Sequence, residues 1–183
     1  MYRYRNILAI IVLSAVILGI SSCAPAEEGG FLRALDSPAE MKITGERNGV
    51  AFEAELTIGE KNSDGSRDGE MIFTSPESLA GISVSTAGGV WNSSLDGIAI
   101  AGISAELIGA PLAVFSQMGN ALSAEKITGE DGTAMTLIVI DGSDCRIEYC
   151  IDSKSGAPVS VTEKSADGTV IMKFDIKEYK VNP

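Results

Sequence analysis

The chain has 183 residues, 25 acidic against 14 basic, for a net charge of −11, and it contains no histidine. A surface of that sign repels phosphate backbones and anionic headgroups, so no nucleic-acid partner is expected. The missing histidine removes Ser-His-Asp and Cys-His catalysis and every histidine-containing metal site.

Taken from the start, Arg3 and Arg5 precede an apolar run, Ile7 to Ile20, broken only by Ser14 and Gly19, after which come the small residues Ser21 and Ser22. A basic head, a short apolar middle and a small-residue exit are the parts of a secretory signal. The run is 14 residues long, short of the ~20 an untilted membrane span needs, so residues 1–22 are predicted to be an export signal. Ile20-Ser21-Ser22-Cys23 resembles the bacterial lipobox. That resemblance implies cleavage before Cys23, a diacylglyceryl group on its thiol, and attachment to the extracytoplasmic face of a membrane, the outer membrane in a Gram-negative source. Two acyl chains make a stable anchor where one is marginal. The alternative is an uncleaved N-terminal helix with an incidental cysteine.

Removing residues 1–22 leaves 161 residues carrying 12 bases and 25 acids, a length that suits one domain. With a net charge of −13, attachment must come from lipid on Cys23 rather than from a basic patch. Residues 23–38 mix Pro, Gly and Glu and read as the lipidated N-terminus and a flexible tether. Within it Phe31, Leu32 and Leu35 have the spacing of a short helix.

From residue 39 to 183 a single β domain is expected. Val50, Phe52, Ala54, Leu56 and Ile58 alternate with Ala51, Glu53, Glu55 and Thr57, the period of a half-buried strand. Asn48-Gly49 before it is a strong hairpin signal, because both residues tolerate positive φ. Asp-Gly pairs at 64–65, 68–69, 96–97, 131–132, 141–142 and 167–168 repeat the turn grammar, most of them between antiparallel strands. The predicted strands are 40–46, 49–59, 70–75, 82–86, 90–95, 125–129, 133–140, 144–151, 158–163 and 169–180. The loop Asn62 to Glu70 has oxygen side chains at alternate positions, but Arg67 stands where a calcium loop needs glycine, so a plain hairpin loop is the expectation. Ser75-Pro76-Glu77-Ser78-Leu79 has the cap and first-turn proline of a short helical turn. Trp91, beside Gly88-Gly89-Val90, either lines a ligand mouth or caps the core.

Between Ala101 and Ser123 the turn pairs vanish. Pro111 to Leu122 places Leu112, Phe115, Met118 and Leu122 near one face of a helix, with Pro111 in its first turn. Such a helix must dock on the sheet to bury that side. Cys145 and Cys150 fall in one strand, where their α-carbons would be ~16 Å apart on opposite faces, so a disulfide is not expected. Cys145 should face inward with Ile147, Tyr149 and Ile151.

The lipobox, the leading strand pair, Ser75 to Gly81 (SPESLAG) between strands, the central helix, the strand-turn-strand Tyr149 to Val159 and the closing strand Met172 to Tyr179 together resemble the LolA-like lipoproteins of Gram-positive bacteria. The resemblance implies a mainly β, α+β fold: a curved antiparallel sheet, a half-open β-barrel, with a helix covering its concave face. It also implies a module for a hydrophobic ligand, an acyl chain or lipid held under the helix, with Phe52, Leu56, Phe73, Leu112, Phe115, Met118, Leu122, Met172 and Phe174 as its wall. Carriers of this kind are soluble, whereas this chain would be tethered. The runner-up function is a noncatalytic scaffold for an envelope enzyme or sensor.

Enzymatic motifs are wanting. Gly102-Ile103-Ser104-Ala105-Glu106 lacks the final glycine of a nucleophile elbow, and no P-loop or dinucleotide fingerprint occurs. Carboxylates lie on the polar faces of strands and in turns, where solvation explains them. No enzyme activity, cofactor or metal is therefore expected.

Overall fold

A computed structural model of the chain describes residues 35–100, 104–116, 123–129, 131–141 and 145–182. Eleven strands form one antiparallel sheet: β1 (Ala39–Arg47), β2 (Val50–Lys61), β3 (Arg67–Ser75), β4 (Ile82–Ala87), β5 (Val90–Leu95), β6 (Ile98–Ala99), β7 (Ser123–Thr128), β8 (Ala134–Asp141), β9 (Cys145–Asp152), β10 (Pro158–Ser165) and β11 (Val170–Val181). Two short helices, α1 (Ala105–Ile108) and α2 (Ala110–Ser116), separate β6 from β7.

The strand order, β6-β5-β4-β3-β2-β1-β11-β10-β9-β8-β7, is two meanders joined back to back. The first runs outward from β1 to the edge at β6; the second starts at the opposite edge, β7, and returns to lay β11 against β1. A chain that leaves one edge of a sheet and re-enters at the other must cross a face. The helices lie on that crossing, which is why helical periodicity occurs only there.

Alternation decides the faces. In β2, Phe52, Ala54, Leu56 and Ile58 are buried while Glu53, Glu55 and Thr57 are exposed, as the pattern predicts. The hairpin at Asn48-Gly49 is found, with φ of 50° and 80° and Arg47 opposite Val50; Asp96-Gly97 repeats it between β5 and β6. Two positive φ values match the twist of the flanking strands, which is why these pairs close the turns. Register shifts in the β1–β11, β2–β3 and β10–β11 pairings bend the sheet. Where the curve is tight, Gly45 faces Phe174, and a Cβ there would collide with that side chain and with the carbonyl of Lys173. The outer face carries exposed ion pairs such as Lys42–Glu178 at 3.3 Å, each worth ~0–1 kcal/mol.

All ten predicted strands occur, within a few residues. Several expectations change. The two-residue edge strand β6 was not expected from its length. Residues 76–81 make a hydrogen-bonded turn rather than a helix: Leu79 and Ala80 both donate to the Pro76 carbonyl, and Gly81 then donates back to Phe73. Arg67 and Asp68-Gly69 belong to β3 rather than to the preceding loop, because the Arg67 side chain is buried against the fold. Leu35, read as tether, sits in the core at 3% exposure, next to Asp36 in a last helical turn. The expected helix from Pro111 is observed as α2 to Ser116; Met118 and Leu122 lie outside the described residues, as do Cys23, Phe31 and Leu32.

Candidate functional site: the open end of the half-barrel

Helix α2 presents Leu112, Val114 and Phe115 to the concave face, all buried. Phe115 packs against Tyr149 and Phe174, with ring centroids 6.2 and 6.1 Å apart; Phe52 meets Phe73 and Phe174 edge-on at 6.0 and 6.5 Å. Such tilted and edge-on contacts add ~0.5–1.5 kcal/mol each beyond area burial. The Tyr149 hydroxyl donates to the Val114 carbonyl, fastening α2 to β9, and burial raises this phenol well above the ordinary tyrosine value. Gly69 brings β3 close beneath α2: a Cβ there would stand 2.8 Å from Leu112 Cδ1.

Each described member of the predicted ligand wall is therefore on the concave side, and all are 0–5% exposed. They divide into two groups. Phe115, Met172 and Phe174 are packed into the core, as are Leu56 on β2 and Leu112 on α2. Phe52 and Phe73 have core contacts but also line a cavity of about 240 Å³ at the end of the sheet where β1 turns into β2. Val50 completes its strand side, Leu79 comes from the turn after β3, and Ile108 and Pro111 come from the helices. Arg47 and Asn48 are its polar members. Of these only Phe52 and Phe73 were singled out from the sequence. The others are a hairpin end, a turn and a helix junction, which meet only when the sheet curves. Val50 is 54% exposed at the rim, although its parity is that of the core residues; the hairpin carries it past the end of the helix layer.

The opposite end is closed. Register places Ala39 opposite Ile58 and Lys61 opposite Arg67 there. Leu35 enters the core, and buried Arg67 donates through Nε to the Gly59 carbonyl at 3.0 Å and through Nη1 to that of Leu35. Burial lowers the Arg67 pKa, while the neighbouring Asp36 carboxylate acts against that shift. Lys61 pairs with Asp36 at 3.4 Å. The segment leading into β1 is thus held at the end away from the cavity.

The remaining candidates are structural. In the loop before β3, Asp64 accepts from the Ser66 backbone and hydroxyl, which lowers its pKa, and Asn62 bonds Ser66 and Asp68. The loop's oxygens thus serve its own donors, and no group of three or more metal-ligating side chains occurs among the described residues. Cys145 and Cys150 are not joined in a disulfide; they sit at opposite ends of the pairing of β9 with β10. Trp91 packs against the core cluster.

No protein-family model and no curated protein matches the chain. Solved structures do. MucB aligns with a TM-score of 0.56 at 15% identity, over 87% of this chain and 60% of its own, so this chain spans well under two thirds of MucB. An uncharacterized conserved protein from Thermus thermophilus aligns with a TM-score of 0.52 at 15% identity, over 84% of each chain. A LolA superfamily protein from Nitrosomonas europaea gives 0.44 at 11% identity, over 87% of this chain and 95% of its own. At such identities the shared property is the fold, and the architecture found is the one that the resemblance to LolA-like proteins implied: an open, curved antiparallel sheet with helices against its concave face.

Proposed function

We propose that this chain is a lipoprotein, held through Cys23 at the extracytoplasmic face of a membrane, whose half-barrel binds an apolar ligand such as an acyl chain. The observation that carries this reading is the apolar cavity between the β1–β2 hairpin, Leu79 and the α1–α2 junction. Its volume of about 240 Å³ lies a little below the ~300 Å³ from which small-molecule pockets usually start, enough for one chain end rather than a whole lipid. The ligand enters at the rim; the aromatic cluster beneath α2 forms the floor. The signal-like N-terminus and the lipobox support the location.

A second reading, docking of an envelope protein, has its own support. The edge strand β6 carries Ile98 at 75% exposure beside Leu95 at 42%, and residues 97–105 contain no charge. The other edge, β7, is guarded by Glu125 and Lys126. Uncharged, apolar edges invite strand pairing.

Native mass spectrometry of the full chain, released from its own membrane in mild detergent, tests the proposal. One noncovalent apolar molecule per chain, in addition to the covalent anchor, is expected. Bare protein, with crosslinks from β6 to another polypeptide, would decide for docking.

A further inference from the structure

The cavity is apolar with one cationic exception. Its strand, turn and helix walls are Val50, Phe52, Phe73, Leu79, Ile108 and Pro111, and the single ionisable side chain lining it is that of Arg47. Arg47 is the last residue of β1, opposite Val50, so its guanidinium belongs to the rim where the cavity meets solvent rather than to the floor. A guanidinium carries five N–H donors in a planar fork, so contact along one edge leaves others available, and that fork matches a carboxylate in shape and charge. Asn48, next in the chain and exposed, adds an amide at the same rim.

From this arrangement we infer that the ligand is a single-chain anionic amphiphile, a free long-chain carboxylate, with its tail against Phe52 and Phe73 and its head on Arg47. The inference rests on the binding function proposed above and specifies the ligand's chemistry. The acids around the rim do not oppose it at contact distance. Glu46 and Glu53 lie on β1 and β2 with exposed side chains, and Glu77, Asp96 and Asp167 lie in exposed turns; none of them lines the cavity. Their field, and the net charge as a whole, are screened over ~8 Å at physiological salt, whereas the Arg47 contact is direct. The same net charge disfavours docking against an anionic bilayer, and the volume admits one chain end, so the source is a free carboxylate rather than the headgroup of a two-chain lipid.

The test uses the full chain in phosphatidylcholine nanodiscs at pH 8, with photoactivatable sixteen-carbon probes that differ only at the head: a carboxylate, an alcohol and an amine. Labelling of peptides containing Val50, Phe52, Phe73 or Leu79 is measured for the natural chain and for Arg47→Gln, and the ratio of the two is taken for each probe, which cancels its partition into the bilayer. A ratio of about ten is expected for the carboxylate, the lower range for a charge-assisted hydrogen bond, and about one for the alcohol and the amine. A carboxylate ratio near one, with the cavity still labelled, overturns the inference and leaves apolar binding standing. Failure of every probe to label the cavity of the natural chain overturns both. If Arg47→Gln loses alcohol labelling too, Arg47→Lys replaces it and the salt dependence of carboxylate labelling is read: a fall with added salt supports the assignment, and no change overturns it. Nanodiscs containing phosphatidylglycerol test the other source: competition by that lipid for the carboxylate's labelling would overturn the choice of a free carboxylate.

Discussion

Gly109 is the position at which the helical layer approaches the sheet most closely, and Gly109→Ala should destabilise the domain. A Cβ built there stands 2.6 Å from Trp91 Cζ3, 2.9 Å from Val84 Cγ1 and 2.9 Å from the Ala105 carbonyl oxygen. None of the three yields easily. Val84 is fully buried, Trp91 is packed against the core, and the Ala105 carbonyl accepts the Gly109 N–H at 2.8 Å. The methyl group would restrict the unfolded chain, a gain of ~0.4–1 kcal/mol where the native conformation tolerates alanine. Overpacking a filled site costs ~1–3 kcal/mol, so the net loss should be ~1–2 kcal/mol, which for a domain of this size lowers Tm by about 3–6 °C. Because the chain contains one tryptophan and its ring is the nearest neighbour, thermal unfolding followed by Trp91 emission reports both the stability and the displaced contact. A variant that melts at or above the parent temperature with unchanged emission would refute the reasoning, since it would mean that the α1–α2 junction has slack.

Phe52→Asp should unfold the domain, whereas Glu53→Lys should change stability by less than ~0.5 kcal/mol, because the first buries an unpaired charge and the second exchanges one solvated charge for another; equal thermal tolerance would contradict the assigned faces. Tyr149→Phe removes the donor to the buried Val114 carbonyl and should cost ~1–2 kcal/mol in urea unfolding at pH 7. It should also flatten the alkaline limb. Burial raises the folded phenol above its usual 10.0, so the unfolded chain loses the proton first; this stabilisation is complete below about pH 10 and falls as pH climbs toward the folded value. Alkaline limbs of equal slope in the two proteins would count against it. Cys23→Ser should abolish incorporation of labelled acyl chains and move the protein out of the mature membrane fraction; retained label would remove the proposed anchor.

Period-two alternation from residue 39 onward, together with the Asn-Gly and Asp-Gly turns, determined the number of strands to within one and the buried face of β2, because strand geometry forces neighbouring side chains to opposite sides. The helical spacing of Leu112 and Phe115 likewise determined where the sheet would be covered. These are local properties, legible one residue after another. The pairing of β1 with β11, which sets Ala39 near the start of the domain opposite Val181 near its end, had no such local sign. Nor did the burial of Arg67, which a sequence reader assigns to a polar loop and which the fold satisfies with the carbonyls of Gly59 and Leu35. The cavity was the least legible feature. Its walls come from a hairpin end, a turn and a helix junction, and sheet curvature set by backbone register shifts brings them together. The same curvature closes the aromatic cluster under α2, so that residues predicted as one ligand wall became mostly core, while Val50 and Arg47, unremarkable in the sequence, became the rim.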